Sequence, residues 1–318
     1  MDWSDRIGRR LKPRDLHVFM AVAEHRNIAK AAESLAISRP VVSRTIAELE
    51  RTLGVPLFDR SSHGVEPTLY GDALLKRSVV IFDEMQQSVK EIEFLSDPNA
   101  GELRVGCTEP MAAGFVSAVV DRLCRRYPRL TFQLEIANAA TLQMHSLRKR
   151  KCELAIARKL EPLPEPDMDA EILFHDKFFV VAGPNTTWRG RQIALAQLLD
   201  EPWIVTRVDL QPGSPILDVF RGGALDIRKP KIVCDSLNLR NSLLASGRYL
   251  TILHGSVLRF GVERRLLRVL PVELPAHRLP VSVITLKNRT LSPIAELFIK
   301  CAREVAKTLA KEGSSLQH

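Results

Sequence analysis

Residues 31–50, AAESLAISRPVVSRTIAELE, read as helix at both ends with a Ser-Arg-Pro step in the middle. This interruption constrains the fold most, because one helix must stop and another start within a few residues. Ser38 suits an N-cap, whose side-chain oxygen accepts a backbone N–H of the following turn. Pro40 suits that first turn, where its missing donor costs nothing. One helix is therefore expected to end near Ala36 and a second to begin at Ser38.

Three short apolar stripes surround the step. Leu16, Phe19, Met20 and Ala23 mark the first, Ile28, Ala31, Ala32 and Leu35 the second, and Val42, Ile46, Leu49 and Leu53 the third. None is long enough to be stable alone, so the three must pack together. After Gly54 the run VPLFDRSSHGVEPT sets two extended pieces around a polar turn with Gly64, a hairpin signature. A winged helix-turn-helix over residues 1–70 follows. With Val42, Ile46, Leu49 and Leu53 turned inward, Pro40, Ser43, Arg44, Ala47 and Arg51 face outward. Compact residues with arginines fit a major groove about 12 Å wide, where Arg pairs bidentately with guanine. Arg39, at the helix start, is placed for a base edge or a phosphate. The plain alternative is a solvated face with an Arg44–Glu48 ion pair one turn apart. The Ala31-Ala32 pair, which permits close helix crossing, and a hairpin carrying Arg60 and His63 favour the groove.

The net charge of +9 does not support this reading by itself. Basic and acidic residues balance at 14 each over residues 1–96, and the excess, 32 against 23, lies in the remainder. Only local clusters such as Arg6, Arg9, Arg10, Lys12 and Arg14 count toward DNA.

From Thr68 the pattern is helical for nearly thirty residues, and Leu75, Ser78, Phe82, Met85, Val89 and Ile92 fall at alternating spacings of three and four. That seam, on a linker helix over 71–96, suits pairing with a second copy of the chain. SDPNAG breaks the helix. ELRVGC, TFQLEIA and CELAIAR then read as buried strands, separated by helical stretches from Met111 to Arg126 and from Thr141 to Lys151. FFVVAGP, PWIVT, KIVCD, YLTIL and LPVSVITLK supply further strands. The alternation implies α/β lobes with mostly parallel sheets. Two lobes facing a cleft are expected within 97–318, one over about 101–174 and 285–318, the other over about 175–284.

No apolar run approaches the roughly 18 residues of a membrane span, and the charged start lacks the apolar block of a secretory signal, so a cytoplasmic location is expected. Cys107, Cys124, Cys152, Cys234 and Cys301 lie far apart, against a disulfide framework or a zinc site. A peroxide-sensing thiol at Cys107 has no visible resolving partner. An enzyme is disfavoured: there is no Walker-type loop, no metal-ligand spacing and no assembled nucleophilic set, and His145, His175, His254 and His277 are scattered. No cofactor is expected.

The run FMAVAEHRNIAKAAESLAISRPVVSRTIAELERTLGVPLFDRSSHGVEPTLYGDALL resembles the DNA-binding half of LysR-type transcriptional regulators. Matching points include Phe19, Ala31-Ala32, Ser38, Pro40, Ser43, Leu49-Glu50, Leu53-Gly54, Arg60, Thr68 and Gly71. The resemblance implies that the helix from Ser38 reads the major groove through Arg39, Pro40, Ser43 and Arg44. It also implies that the hairpin around Arg60 touches adjacent DNA and that the long helix dimerises. Arg39 stands where the family usually has Gln, and Ile28, counted with these residues among the DNA contacts, departs from the usual Phe-Thr or Ser-Phe chemistry at its place. The likeness continues more weakly over 101–310, implying two lobes like those of type 2 periplasmic binding proteins, a small-molecule effector, a homodimer or homotetramer, and contact with RNA polymerase.

In that module, polar residues stand where helices begin after strands: Thr108 and Glu109, Asn138, Ser214 and Ser236. Free N–H groups there favour an anion, which Arg158 and Arg207 can meet in bidentate fashion; His254 completes the candidates. Plain helix capping is the alternative for each helix start. The late PGSP and DSL patterns resemble branches sensing aromatic or sugar acids.

Overall fold

The computed structural model describes residues 10–61, 64–158, 166–188, 192–198, 200–212, 214–222, 230–260, 267–274 and 279–311. They form two compact units that divide between Val89 and Lys90.

In the first unit, α1 (Pro13–His25) buries Leu16, Val18, Phe19 and Val22 and stops at Arg26, which adopts a left-handed φ of 49°. Asn27 caps α2 (Ile28–Ser34), its Oδ1 accepting the N–H groups of Ala29 at 2.8 Å and Lys30 at 3.0 Å. The reversal after α2 falls where the sequence placed it: the helix ends at Ser34, and Ala36 makes the turn with φ 53°. Ser38 does hold the N-cap position of α3 (Arg39–Leu53), but without a side-chain cap. Its carbonyl accepts from Val41 and Val42 at 3.0 and 3.2 Å, leaving the hydroxyl available. Val42, Ile46 and Leu49 are buried and Leu53 packs at the core's margin, as their spacing required.

The hairpin of β1 (Phe58–Ser61) and β2 (Gly64–Pro67) pairs Phe58 with Pro67 and Ser61 with Gly64. It is fastened at both ends. Val65 donates to Arg26 O at 3.1 Å, and Glu50 Oε1 accepts from Leu57 N at 2.8 Å. Gly71, near the start of α4 (Leu69–Ser96), lies so close to the Leu57 carbonyl that a Cβ there would stand 2.1 Å from its oxygen. Thr68 Oγ1 reinforces this junction, donating to Pro56 O and accepting from Gly71 N.

The second unit holds two lobes. The first is a five-stranded sheet of order β4-β3-β5-β12-β6, from β3 (Ala100–Cys107), β4 (Arg129–Ile136), β5 (Leu154–Arg158), β6 (Met168–Asp176) and β12 (Leu279–Leu286). β3 runs parallel to β4 and β5, whereas β12 is antiparallel to β5 and β6. With two parallel and two antiparallel pairings the sheet is mixed and not mostly parallel as expected, because β12 enters as a reversed strand between β5 and β6. Because β12 begins at Leu279, the chain returns to this lobe there, not at 285. β3 is followed by α5 (Glu109–Met111), a π-helical turn at Ala112–Val116 and α6 (Ser117–Arg126). β4 is followed by α7 (Ala139–Thr141) and a second π-helical turn, Leu142–Leu147, so this helix starts and stops earlier than Thr141–Lys151. TFQLEIA is no buried strand: β4 is an edge, with Leu134 and Ile136 exposed. α11 (Pro293–Lys311) packs Phe298 and Ala302 into the same core as Val105 and Phe115.

In the second lobe, β7 (Phe178–Ala182) lies antiparallel between β10 (Leu250–His254) and β11 (Arg268–Val269). β8 (Ile204–Val205) pairs with β9 (Ile232–Val233) in parallel, and a Trp203–Leu250 bridge joins them to β10. α8 (Pro215–Gly222), α9 (Leu237–Ala245) and α10 (Gly255–Phe260) cover this sheet. Trp203 and Phe220, at 5.1 Å, centre its core.

Candidate functional site

On the first unit, α3 presents Arg39, Pro40, Arg44 and Arg51 to solvent, with Ser43 half-buried. Among the described residues none of the three arginines has an ion-pair partner, so the Arg44–Glu48 pair is not made. Ile28 opens α2 half-buried and packs against the core of this unit, as its place in the second apolar stripe requires. Arg60 stands on β1 opposite Val65; its side chain lies outside the described residues, as do His63, Arg6 and Arg9.

The α4 seam separates into two parts. Leu75 packs on the head core and Phe82 lies 5.7 Å from the His17 ring, so both already have partners. Ser78 is buried. Met85, Val89 and Ile92 are exposed, with Ile81 and Leu95 beside them.

The effector candidates do not gather in one place. Asn138 Oδ1 accepts from Thr141 N at 2.8 Å and Ser236 Oγ from Leu239 N at 3.3 Å, so both are helix caps. Arg207 points into solvent beside Asp235, with Nε to Oδ2 3.7 Å. Ser214 is buried ahead of α8, its carbonyl accepting from Asp218 N. The remaining four meet where the lobes join.

Arg158, at the end of β5, is largely buried, its Nη2 3.9 Å from Asp176 Oδ2. Asp176 closes β6, the strand that leads from the first lobe to the second. Its carboxylate takes Ser256 Oγ at 2.6 Å and the Ser256 and Lys177 amides at 3.1 Å each. Next to it His254, ending β10, lies 4.7 Å from the Phe178 ring. Arg240 is buried in α9 and feels the charges of Asp209 and Glu109. Asp209 Oδ2 accepts Thr206 N at 2.7 Å.

Burial sets the protonation here. It pushes Arg158 down to about 10, against the pull of Asp176 and Asp209, which leaves it charged at neutral pH. Arg240 is lowered by burial too. Burial, then the nearby Arg158 and Arg240 charges, holds His254 well below the usual imidazole range, so it is neutral. Asp176 and Asp209 are both raised by loss of water, opposed by Arg158 at the first and by Thr206 at the second.

The hydrogen-bond balance is lopsided. Each carboxylate has backbone donors, but Thr108 Oγ1, Arg158 Nε and Nη2, Arg240 Nε and His254 Nδ1 are buried without hydrogen-bond partners among the described residues. Leaving such groups unmade costs about 1–3 kcal/mol each. The junction therefore has a surplus of donors that an anionic or oxygen-rich ligand can satisfy. Arg240 was not singled out in the sequence, although its signal is visible: it shares the buried face of α9 with Leu237 and Leu244, an Arg on an apolar stripe. Asp176 and Asp209 had no signal of that kind.

Cys107 is fully buried, and burial pushes its thiol up to about 12, so it stays protonated and unreactive. No described helix is long and apolar enough to cross a membrane.

A family model described as "LysR substrate binding domain" matches residues 96–307, and another, "Bacterial regulatory helix-turn-helix protein, lysR family", matches 13–72. The HTH-type transcriptional regulator GbpR of Azospirillum brasilense is 27% identical over 303 residues, 94% of this chain and 88% of that protein. Among solved structures, full-length OxyR from Pseudomonas aeruginosa superposes with TM-score 0.63 at 20% identity, over 93% of this chain and 95% of that one. Full-length CbnR in complex with its target DNA gives TM-score 0.52 at 22% identity, over 93% and 100% of the two chains. At these identities the structures attest the fold.

Proposed function

We propose, since this chain belongs to the LysR family of DNA-binding transcriptional regulators, that its effector-binding module takes a small organic anion at the lobe junction. One observation carries the reading: five buried polar atoms on Thr108, Arg158, Arg240 and His254, without hydrogen-bond partners among the described residues, converge where the chain passes between lobes. Two guanidiniums suit a carboxylate, which they can hold with paired hydrogen bonds. The neutral imidazole and the threonine hydroxyl suit a second oxygen on the same ligand, as in an aromatic or sugar acid.

The output is DNA. Arg39, Pro40, Ser43 and Arg44 face the major groove of an operator, two chains pair through Met85, Val89 and Ile92, and two such dimers form a tetramer that bends DNA or meets RNA polymerase. A ligand drives such a change only by binding one arrangement more tightly than another.

The test is thermal unfolding of the full chain in a panel of mono- and dicarboxylates that includes aromatic and sugar acids. A subset is expected to raise Tm, and Arg158→Met to abolish the rise. A panel without effect on the unsubstituted protein removes the anionic effector.

A further inference from the structure

Glu109 bridges the two lobes. It is the first residue of α5 in the first lobe, and its Oε1 accepts the Leu237 N–H at 2.8 Å, the first amide of α9 in the second. A helix N-terminus carries free N–H groups and a partial positive charge, and so attracts anions. At this one the anion is a side chain of the protein. Arg240, in the first turn of the same helix, is drawn electrostatically to Glu109 while its own buried Nε has no hydrogen-bond partner among the described residues. Thr108, the neighbour of Glu109, has its hydroxyl oxygen buried and without a partner among the described residues. A carboxylate thus sits at the mouth of a donor-rich site without satisfying it.

The lobes touch closely nearby. A Cβ on Gly114, in the π-helical turn after α5, would stand 2.7 Å from Ser256 O across the junction. Ala113 packs against the second-lobe cluster of Val257 and Leu258.

Resting on the reading of the junction as an anion site, we infer that Glu109 is a tethered stand-in for the effector's anionic group: it latches the lobes together without ligand and must be displaced from α9 when ligand binds. The chain thereby competes with its own effector. Removing the charge of Glu109 strengthens anion binding, whereas a residue that merely contacts ligand or braces the lobes would weaken it or leave it alone when lost. Glu109→Gln keeps the length and an oxygen acceptor for Leu237 N but no charge.

The experiment titrates full-length protein, Glu109→Gln and Arg240→Met with the same carboxylate panel, reading Tm shift and dissociation constant. The Gln variant is expected to bind the active carboxylates about tenfold more tightly, in line with the worth of an anion at a partly buried helix N-terminus. Arg240→Met should lose them. Glu109→Ala, which removes the side chain altogether, is expected to follow Glu109→Gln and serves if that variant does not fold. Equal or weaker binding by both Glu109 variants, with binding by the unsubstituted protein intact, overturns the latch and leaves the anion site standing. If no carboxylate binds the unsubstituted protein, the anion site falls and the latch with it.

Discussion

Arg44 stands one turn into α3, exposed and, among the described residues, without a carboxylate to answer it, so its guanidinium meets DNA without first giving up an ion pair to any of them. Arg44→Ala is expected to weaken operator binding by about 1–3 kcal/mol, the worth of one bidentate base contact. Fluorescence anisotropy on operator and on random duplex checks this. A loss confined to operator assigns Arg44 to a base, and an equal loss on both assigns it to phosphate. This residue was legible because its exposure follows from the 3.6-residue period that buries Val42, Ile46 and Leu49. Other residues were not, because their reasons lie in distant backbone. Glu50 and Gly71 matched the family, yet nothing local says why. Both serve the Leu57 segment, one accepting its N–H and the other making room for its carbonyl. Glu109 read as a ligand contact because its partner, Leu237 N, is contributed by the other lobe.

α4 shows the same division at the scale of an element. A heptad seam predicts one continuous apolar face, but the head consumes its first part: Leu75 and Phe82 pack within the chain, and Met85, Val89 and Ile92 remain exposed. Substitutions along one seam should therefore have two different effects. The double change Met85→Asp and Val89→Asp is expected to leave the monomer folded and raise the dimer dissociation constant by a hundredfold or more, since each buried apolar side chain contributes about 1.5–3 kcal/mol. Sedimentation velocity over a dilution series checks it, and a dimer that survives unchanged places the interface elsewhere. The two π-helical turns were not legible at all. An extra residue per turn leaves the apolar spacing of a short helix almost unaltered, and what distinguishes Ala112–Val116 is the close fit of Gly114 against Ser256. β4 was misread for a related reason: alternating and continuous apolar runs do not reveal whether a strand lies at an edge.

For the molecule as a whole, the buried charges of the lobe junction should appear in the pH dependence of stability. His254 is held below 6.5 by burial and by the charges of Arg158 and Arg240, whereas in the unfolded chain it titrates near its ordinary value. Below about pH 6.5 the unfolded chain then binds a proton that the folded chain refuses, so stability is lost as the pH is lowered, at up to about 1.4 kcal/mol per unit for this one group. Asp176 and Asp209 act in the opposite sense. Their folded values are raised above 3.8, so the folded state takes up protons first, and acid favours it between those values and 3.8. Just below pH 6.5 the histidine governs, because its unfolded form titrates there. Urea midpoints of the full chain are expected to drop between pH 7.5 and 5.5, and His254→Gln, which cannot titrate, to flatten that drop. The same slope should shrink when a carboxylate fills the site, because the added negative charge offsets Arg158 and Arg240 and makes a protonated His254 tolerable. A slope unchanged by His254→Gln would mean that the imidazole titrates normally, and that the junction admits more water than its unpaired donors imply.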